Sequence, residues 1–287
     1  MTEGIAGHRA RTFGPQRRIR RLFGFGKGIV AMDAAHRPIS PEAPSPSRTT
    51  SGVVLAESAL PLAPGLAELM HADGVMLGVR ADRGVEPLYG DGHAQVSAGL
   101  DGLAERLAAL RDHGVEFAVW HVPPIVAGHG RASAALAING HAAARFALTC
   151  QHIGLVPLVR VCPPRGQHAD AASTTLLSLC MHLNELDVEL DGMVLGTRLD
   201  LSEPITDGPL AALPARLGGV VLTVDTVTPA EAADAISPVR LATSRWPITF
   251  YLGREPSTAA HRTRTAPAAV APLRRCHVPD SRRSVGR

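Results

Sequence analysis

Apolar, β-branched runs recur along the chain: GIVAMD (28–33), GVVLA (52–56), VMLGVR (75–80), VEFAVWH (115–121), LVPLVRV (155–161), GMVLGT (192–197), GVVLTVD (219–225) and PITFYLG (247–253). They are nearly continuous rather than alternating, the pattern of parallel strands buried on both faces. Helical spacing fills most of the gaps between them. Residues 96–112 put Val96, Leu100, Leu103, Leu107 and Leu110 on one face. Residues 133–153 align Ile138, Ala142, Phe146 and Cys150, and residues 171–186 align Leu176, Leu179, Leu183 and Leu186. Shorter helices fit 209–217 and 229–243, the second opened by Thr228-Pro229 with Glu231 in a capping box.

Eight strands alternating with helices predict an α/β fold, a (β/α)8 TIM barrel. The rival, a doubly wound sheet, needs a Gly-rich phosphate turn after its first strand, and AMDAAHRP does not supply one. Helices 1 and 8 are poorly supported. RPISPEAPSPSRTTS (37–51) reads as a Pro/Ser linker, and residues 255–287 are Ala/Pro/Arg-rich without an apolar face. The expected organisation is a basic flexible segment over 1–24, the barrel over 25–254 and a disordered tail over 255–287.

Composition narrows the chemistry. The net charge of +3 is too mild to require a nucleic-acid partner, and QRRIRR (16–21) lacks aromatic interleaving, so a solvated tail is expected there. No apolar run reaches the roughly 18 residues of a membrane span. Four cysteines, Cys150, Cys162, Cys180 and Cys276, are widely spaced, which suggests reduced thiols and a cytoplasmic setting. Of the 29 Lys+Arg, only Lys27 is lysine. It enters the first strand six residues before Asp33, ~20 Å below the C-terminal strand ends at ~3.3 Å per residue. Active sites of such barrels sit at those C-terminal ends.

The segments FGKGIVAMDAA, LGVRADRGVEPLYGDG, GLDGLAERLAALRDHGVEFAVWH, CQHIGLVPLVRV, LDGMVLGTRLD and WPITFYLGRE resemble, in order, class I fructose-bisphosphate aldolase. The resemblance runs from about Phe25 to Arg254. It implies aldol cleavage of fructose 1,6-bisphosphate to dihydroxyacetone phosphate and glyceraldehyde 3-phosphate, in glycolysis. A lysine amine forms an iminium with the ketone, carboxylates move protons, and basic side chains with glycine turns hold phosphate.

Carried over by the resemblance, Asp33 keeps the aspartate that stabilises the reacting cations. Gly196 stands at the Schiff-base lysine position. Arg80 replaces a pocket lysine, Val119 another, and His121 a phosphate-binding arginine. Arg160 and Cys162 replace a glutamate pair, and Val224-Asp225-Thr226 replaces a Ser-Gly-Gly nest. Gly253-Arg254 keeps the Gly-Arg phosphate motif. A guanidinium does not deprotonate near neutral pH, so arginine cannot stand in for the amine.

The expectation is therefore a catalytically inactive family member without a cofactor, taking a sugar phosphate at Arg80, Gly253 and Arg254. Family resemblance leaves a homo-oligomer open. Arg80 or Arg160 could instead pair with Asp33 as a buried ion pair. One alternative is an active sugar-phosphate lyase using metal or Arg/His chemistry. Asp33, His121, Cys162 and Asp225 all end strands, but they carry no ligand spacing, so no metal is expected. Another alternative is a non-catalytic interaction protein.

Overall fold

The computed structural model describes residues 14–253, except residue 25 and segments 33–48, 63–64, 90–93, 127–130, 162–168, 199–209, 211–212, 225–228 and 243–244. The chain divides into units Met1–Arg254 and Glu255–Arg287. The second unit, with the expected tail, lies outside the described residues. So do residues 37–48 of the expected linker at the weak first helix, while Thr50 and Ser51 at its end open a strand.

The described residues form ten strands: β1 (Gly28–Met32), β2 (Thr50–Ala56), β3 (Met76–Arg80), β4 (Val85–Pro87), β5 (Gln95–Ser97), β6 (Phe117–Val122), β7 (Val156–Val161), β8 (Val194–Arg198), β9 (Gly219–Thr223) and β10 (Ile248–Leu252). Eight close into a parallel barrel in the order β1-β2-β3-β6-β7-β8-β9-β10. The ring is completed where Ile29 of β1 faces Tyr251 of β10. These are the eight predicted strands.

Their side chains alternate between two cores. Ile29, Val54, Met76, Phe117, Val119, Val156, Leu158, Val194, Val221 and Tyr251 fill the interior. The intervening residues, such as Val53, Leu77, Ala118, Val159, Leu195 and Leu222, join the outer core under the helices.

The helices are α1 (Pro15–Leu22), α2 (Leu66–Ala72), α3 (Leu103–Asp112), α4 (Ala132–Ile153), α5 (Ala169–Glu185) and α6 (Pro229–Ala242). α4 ends because Gly154 adopts φ 88° and turns its N–H back to the Cys150 and Gln151 carbonyls. This left-handed stop feeds β7 directly. The predicted face of α4 needs one change. Ile138 is 43% exposed, and Ala135, Asn139, Ala142, Phe146 and Cys150 make the buried stripe. α3 starts seven residues later than its apolar spacing suggests, because Val96 belongs to β5.

Besides α2, which the apolar spacing did not predict, two further features were not expected. First, residues 15–22 are not a flexible part of the N-terminal segment but form α1. Its Ile19 and Leu22 are buried in the barrel interior, with Phe23 packed beside them. Polar contacts seat it on the barrel base. Arg21 pairs with Glu116 at 2.5 Å, Gln16 donates to Asp191 at 3.0 Å, Arg18 donates to the Gly154 carbonyl, and Ser51 Oγ donates to the Leu22 carbonyl at 2.7 Å. Gly219 must lack a side chain, since a Cβ there would collide with the Phe23 ring.

Second, β4 and β5 form an antiparallel hairpin. Asn139 of α4, almost fully buried, clips it in place. Its Oδ1 accepts from Ser97 N–H at 2.8 Å, and its Nδ2 donates to the Gln95 carbonyl at 2.9 Å. Asn139→Ala strands both backbone groups, so a loss of about 1–3 kcal/mol in urea unfolding is expected.

Candidate functional site

The inward alternation carries Arg80, His121, Arg160, Gly196, Arg198 and Thr223 to the C-terminal ends of their strands. His121, Arg160 and Gly196 lie in one register row across β6, β7 and β8. Asp82, two residues past Arg80, is the hub of the cluster, with a side chain 1% exposed.

Asp82 collects donors from three directions. Arg80 Nε donates to Oδ1 at 2.9 Å and to Oδ2 at 3.1 Å, and Arg80 Nη2 donates to Oδ1 at 2.5 Å. Gly84 N–H donates to Oδ1 at 3.1 Å. His121 donates its backbone N–H at 3.1 Å and its ring Nδ1 at 2.8 Å, both to Oδ2. Burial pushes the Asp82 carboxyl upward. Attraction to His121, hydrogen bonds from His121 and Arg80, and the Arg80 charge outweigh it and hold the carboxyl well below the usual carboxylate range.

The network continues inward. Arg160, 2% exposed, brings Nη1 to 2.6 Å from His121 Nε2. A guanidinium can only donate, so Nε2 accepts and the ring proton sits on Nδ1, facing Asp82. Arg160 Nη2 donates to Thr223 Oγ1 at 2.6 Å. Its guanidinium carbon lies 3.6 Å from the centroid of the Tyr251 ring, within cation–π range.

Gly196 lies beside this arginine. A Cβ there would sit 2.7 Å from Arg160 Cγ and 3.4 Å from the Val221 carbonyl oxygen. The arginine stem thus occupies the space into which a side chain at 196 would grow.

The predicted site residues divide clearly. Arg80, His121, Arg160 and Gly196 converge. Arg80 pairs with Asp82, a partner not foreseen; Asp33, the ion-pair partner considered for Arg80 or Arg160, lies outside the described residues. Val119 is inward but buried in the interior core, below the mouth. Val224 is not a pocket residue. It joins the outer core, and Thr223, one position earlier, faces Arg160. Gly253 is partly buried just after β10. Asp33, Cys162, Asp225 and Arg254 lie outside the described residues.

Asp82, Thr223 and Tyr251 were missed as site residues. For the last two, the period-two alternation through Val221 and Thr249 held the signal. Among the described residues no group of three or more His, Cys, Asp or Glu could hold a metal. Burial pushes the Cys180 thiol up to about 12, away from nucleophilic use. No helix among the described residues is long and apolar enough to cross a membrane.

An eight-stranded parallel barrel with a polar cluster at its C-terminal strand ends defines a (β/α)8 barrel. Residues 42–200 match the family model described as fructose-bisphosphate aldolase class-I. A probable fructose-bisphosphate aldolase class 1 from Xanthomonas axonopodis pv. citri is 30% identical over 218 residues, covering 68% of this chain and 64% of that protein. Fructose-bisphosphate aldolase C-B of Danio rerio is 29% identical over 211 residues, covering 66% of this chain and 58% of that one. The fold matches the aldolase in a ternary co-crystal structure of the Plasmodium falciparum enzyme with TRAP and a small-molecule inhibitor. That match has a TM-score of 0.69 and 22% identity, over 84% of this chain and 83% of the other.

The chain belongs to the class-I fructose-bisphosphate aldolase family. It spans somewhat less than two thirds of the length of the curated relatives it matches.

Proposed function

We propose that this chain is a non-catalytic class-I aldolase family member that has lost Schiff-base chemistry and keeps an arginine-lined mouth for an anionic sugar phosphate. The observation that carries the reading is the pairing of Gly196 with Arg160. By the sequence resemblance Gly196 stands at the position of the family's lysine, and the Arg160 stem fills the space beside Gly196. The only lysine, Lys27, precedes β1 at the opposite end of the barrel. An imine needs an amine that can lose a proton, and neither Arg80, Arg160 nor Arg198 provides one.

Phosphate recognition is assigned to Arg80, Gly253 and Arg254, with Asp33 as the retained carboxylate. Arginine suits bidentate phosphate contacts. Arg80 is 26% exposed at the mouth, although Asp82 already holds part of its donor set. Widely spaced cysteines fit a cytoplasmic setting. The family resemblance leaves a homo-oligomer open. A metal-dependent lyase draws less support, because both ring nitrogens of His121 are engaged, by Asp82 and by Arg160.

Borohydride reduction in the presence of fructose 1,6-bisphosphate tests the reading. Intact-mass analysis is expected to show no ligand adduct, while an active class-I aldolase treated in parallel is labelled. A stoichiometric adduct on this chain would overturn the proposal.

A further inference from the structure

Arg160 is an uncommon core residue, a cation 2% exposed at the upper end of a barrel interior filled largely by apolar side chains. Burying a charge is costly unless it is paired and hydrogen-bonded. Both terminal nitrogens and the planar carbon of its guanidinium meet matching groups. His121 Nε2 and Thr223 Oγ1 each lie 2.6 Å from a terminal nitrogen. The Tyr251 face covers the planar carbon at 3.6 Å. Asp82 accepts from Nδ1–H of His121, and so fixes the tautomer that presents a lone pair to Arg160.

We propose that His121, Thr223 and Tyr251 form a guanidinium cage whose resident occupant is the Arg160 side chain. Vacated, the cage takes a free planar cation of the guanidinium or amidinium class. Asp82 is a positioning residue, acting through the His121 ring. The cage selects for shape as well as charge. Two acceptors and a ring face suit a flat, delocalised cation that donates in its plane and stacks on its face. A compact ammonium ion stacks less well and keeps more of its hydration. The claim does not depend on whether the family's imine chemistry is lost.

The test is chemical rescue. Arg160→Ala is expected to lower Tm by roughly 10 °C, because it removes the guanidinium that bonds His121 and Thr223 and stacks on Tyr251. Methylguanidinium chloride at about five times its Kd is expected to raise the Tm of that variant by about 2–4 °C. Methylammonium chloride at equal concentration should leave it unchanged. Wild type and the Arg160→Ala/Tyr251→Leu double variant should not respond to methylguanidinium. Equal responses in wild type and Arg160→Ala, or no response in Arg160→Ala, would overturn the proposal. If Arg160→Ala does not fold, Arg160→Met keeps the apolar volume and permits a double-mutant cycle with Tyr251→Leu. Non-additive Tm shifts are expected, and additive shifts would sink the cage.

Discussion

Asp82→Ala is expected to remove about 3–5 kcal/mol of stability at pH 7, the usual cost of stripping one partner from a buried ion pair. The substitution removes an acceptor shared by four groups: the Arg80 guanidinium, the Gly84 N–H, and the backbone and ring N–H groups of His121. It also frees His121 to change tautomer, which would turn an N–H toward Arg160. One deletion therefore disturbs three strand ends.

The pH dependence has a definite sign. The folded carboxyl is depressed below its unfolded value near 3.9. Its stabilising effect is thus complete above about pH 4 and fades as pH falls toward the folded value. Urea melts of wild type and variant should differ most at neutral pH, and the gap should narrow below about pH 3. A gap that stayed constant into strong acid would show that the loss came from packing rather than charge.

Gly196→Lys is the second large effect, with an expected cost of ~3 kcal/mol, at the upper end of overpacking losses. The first atom added at 196 already lies 2.7 Å from Arg160 Cγ, near the base of that side chain. The arginine cannot yield by swinging its tip alone, because its guanidinium is held by His121, Thr223 and Tyr251. In an Arg160→Ala background the same substitution should cost far less, or even recover stability by refilling the space. Denaturant midpoints of the two single variants and the double variant decide the matter. Additive losses would show that the two positions do not compete for volume.

The eight barrel strands were legible in sequence because both of their faces are buried. FAVWHV and VPLVRV can be little else when each residue meets either the interior or a helix. α1 was not legible. PQRRIRRL shows only Ile19 and Leu22 as apolar, and its seat is the end of a barrel rather than the face of a sheet. The β4–β5 hairpin has three-residue strands and depends on Asn139, over forty residues later in the chain, so no local pattern encodes it.

The site followed the same division. Arg80, His121, Arg160 and Gly196 were reachable because strand parity carries them inward with the interior core. Val224 missed by one residue, which in a strand means the opposite face. Asp82 lies beyond the end of β3, where no alternation operates, and its bond to His121 spans two neighbouring strands. Only three-dimensional proximity reveals it.

The helix at the barrel base bears on the order of folding. α1 is made early in synthesis, yet its seat is assembled from Ser51, Glu116, Gly154, Asp191 and Gly219. Those positions are spread over most of the remaining chain, so their closure is a set of high-separation contacts, which are slow to form. On the ribosome Ile19, Leu22 and Phe23 must wait, solvated, until β9 has emerged. A chain released before that point carries these three apolar side chains without a berth, and such a fragment is a natural target for chaperone capture.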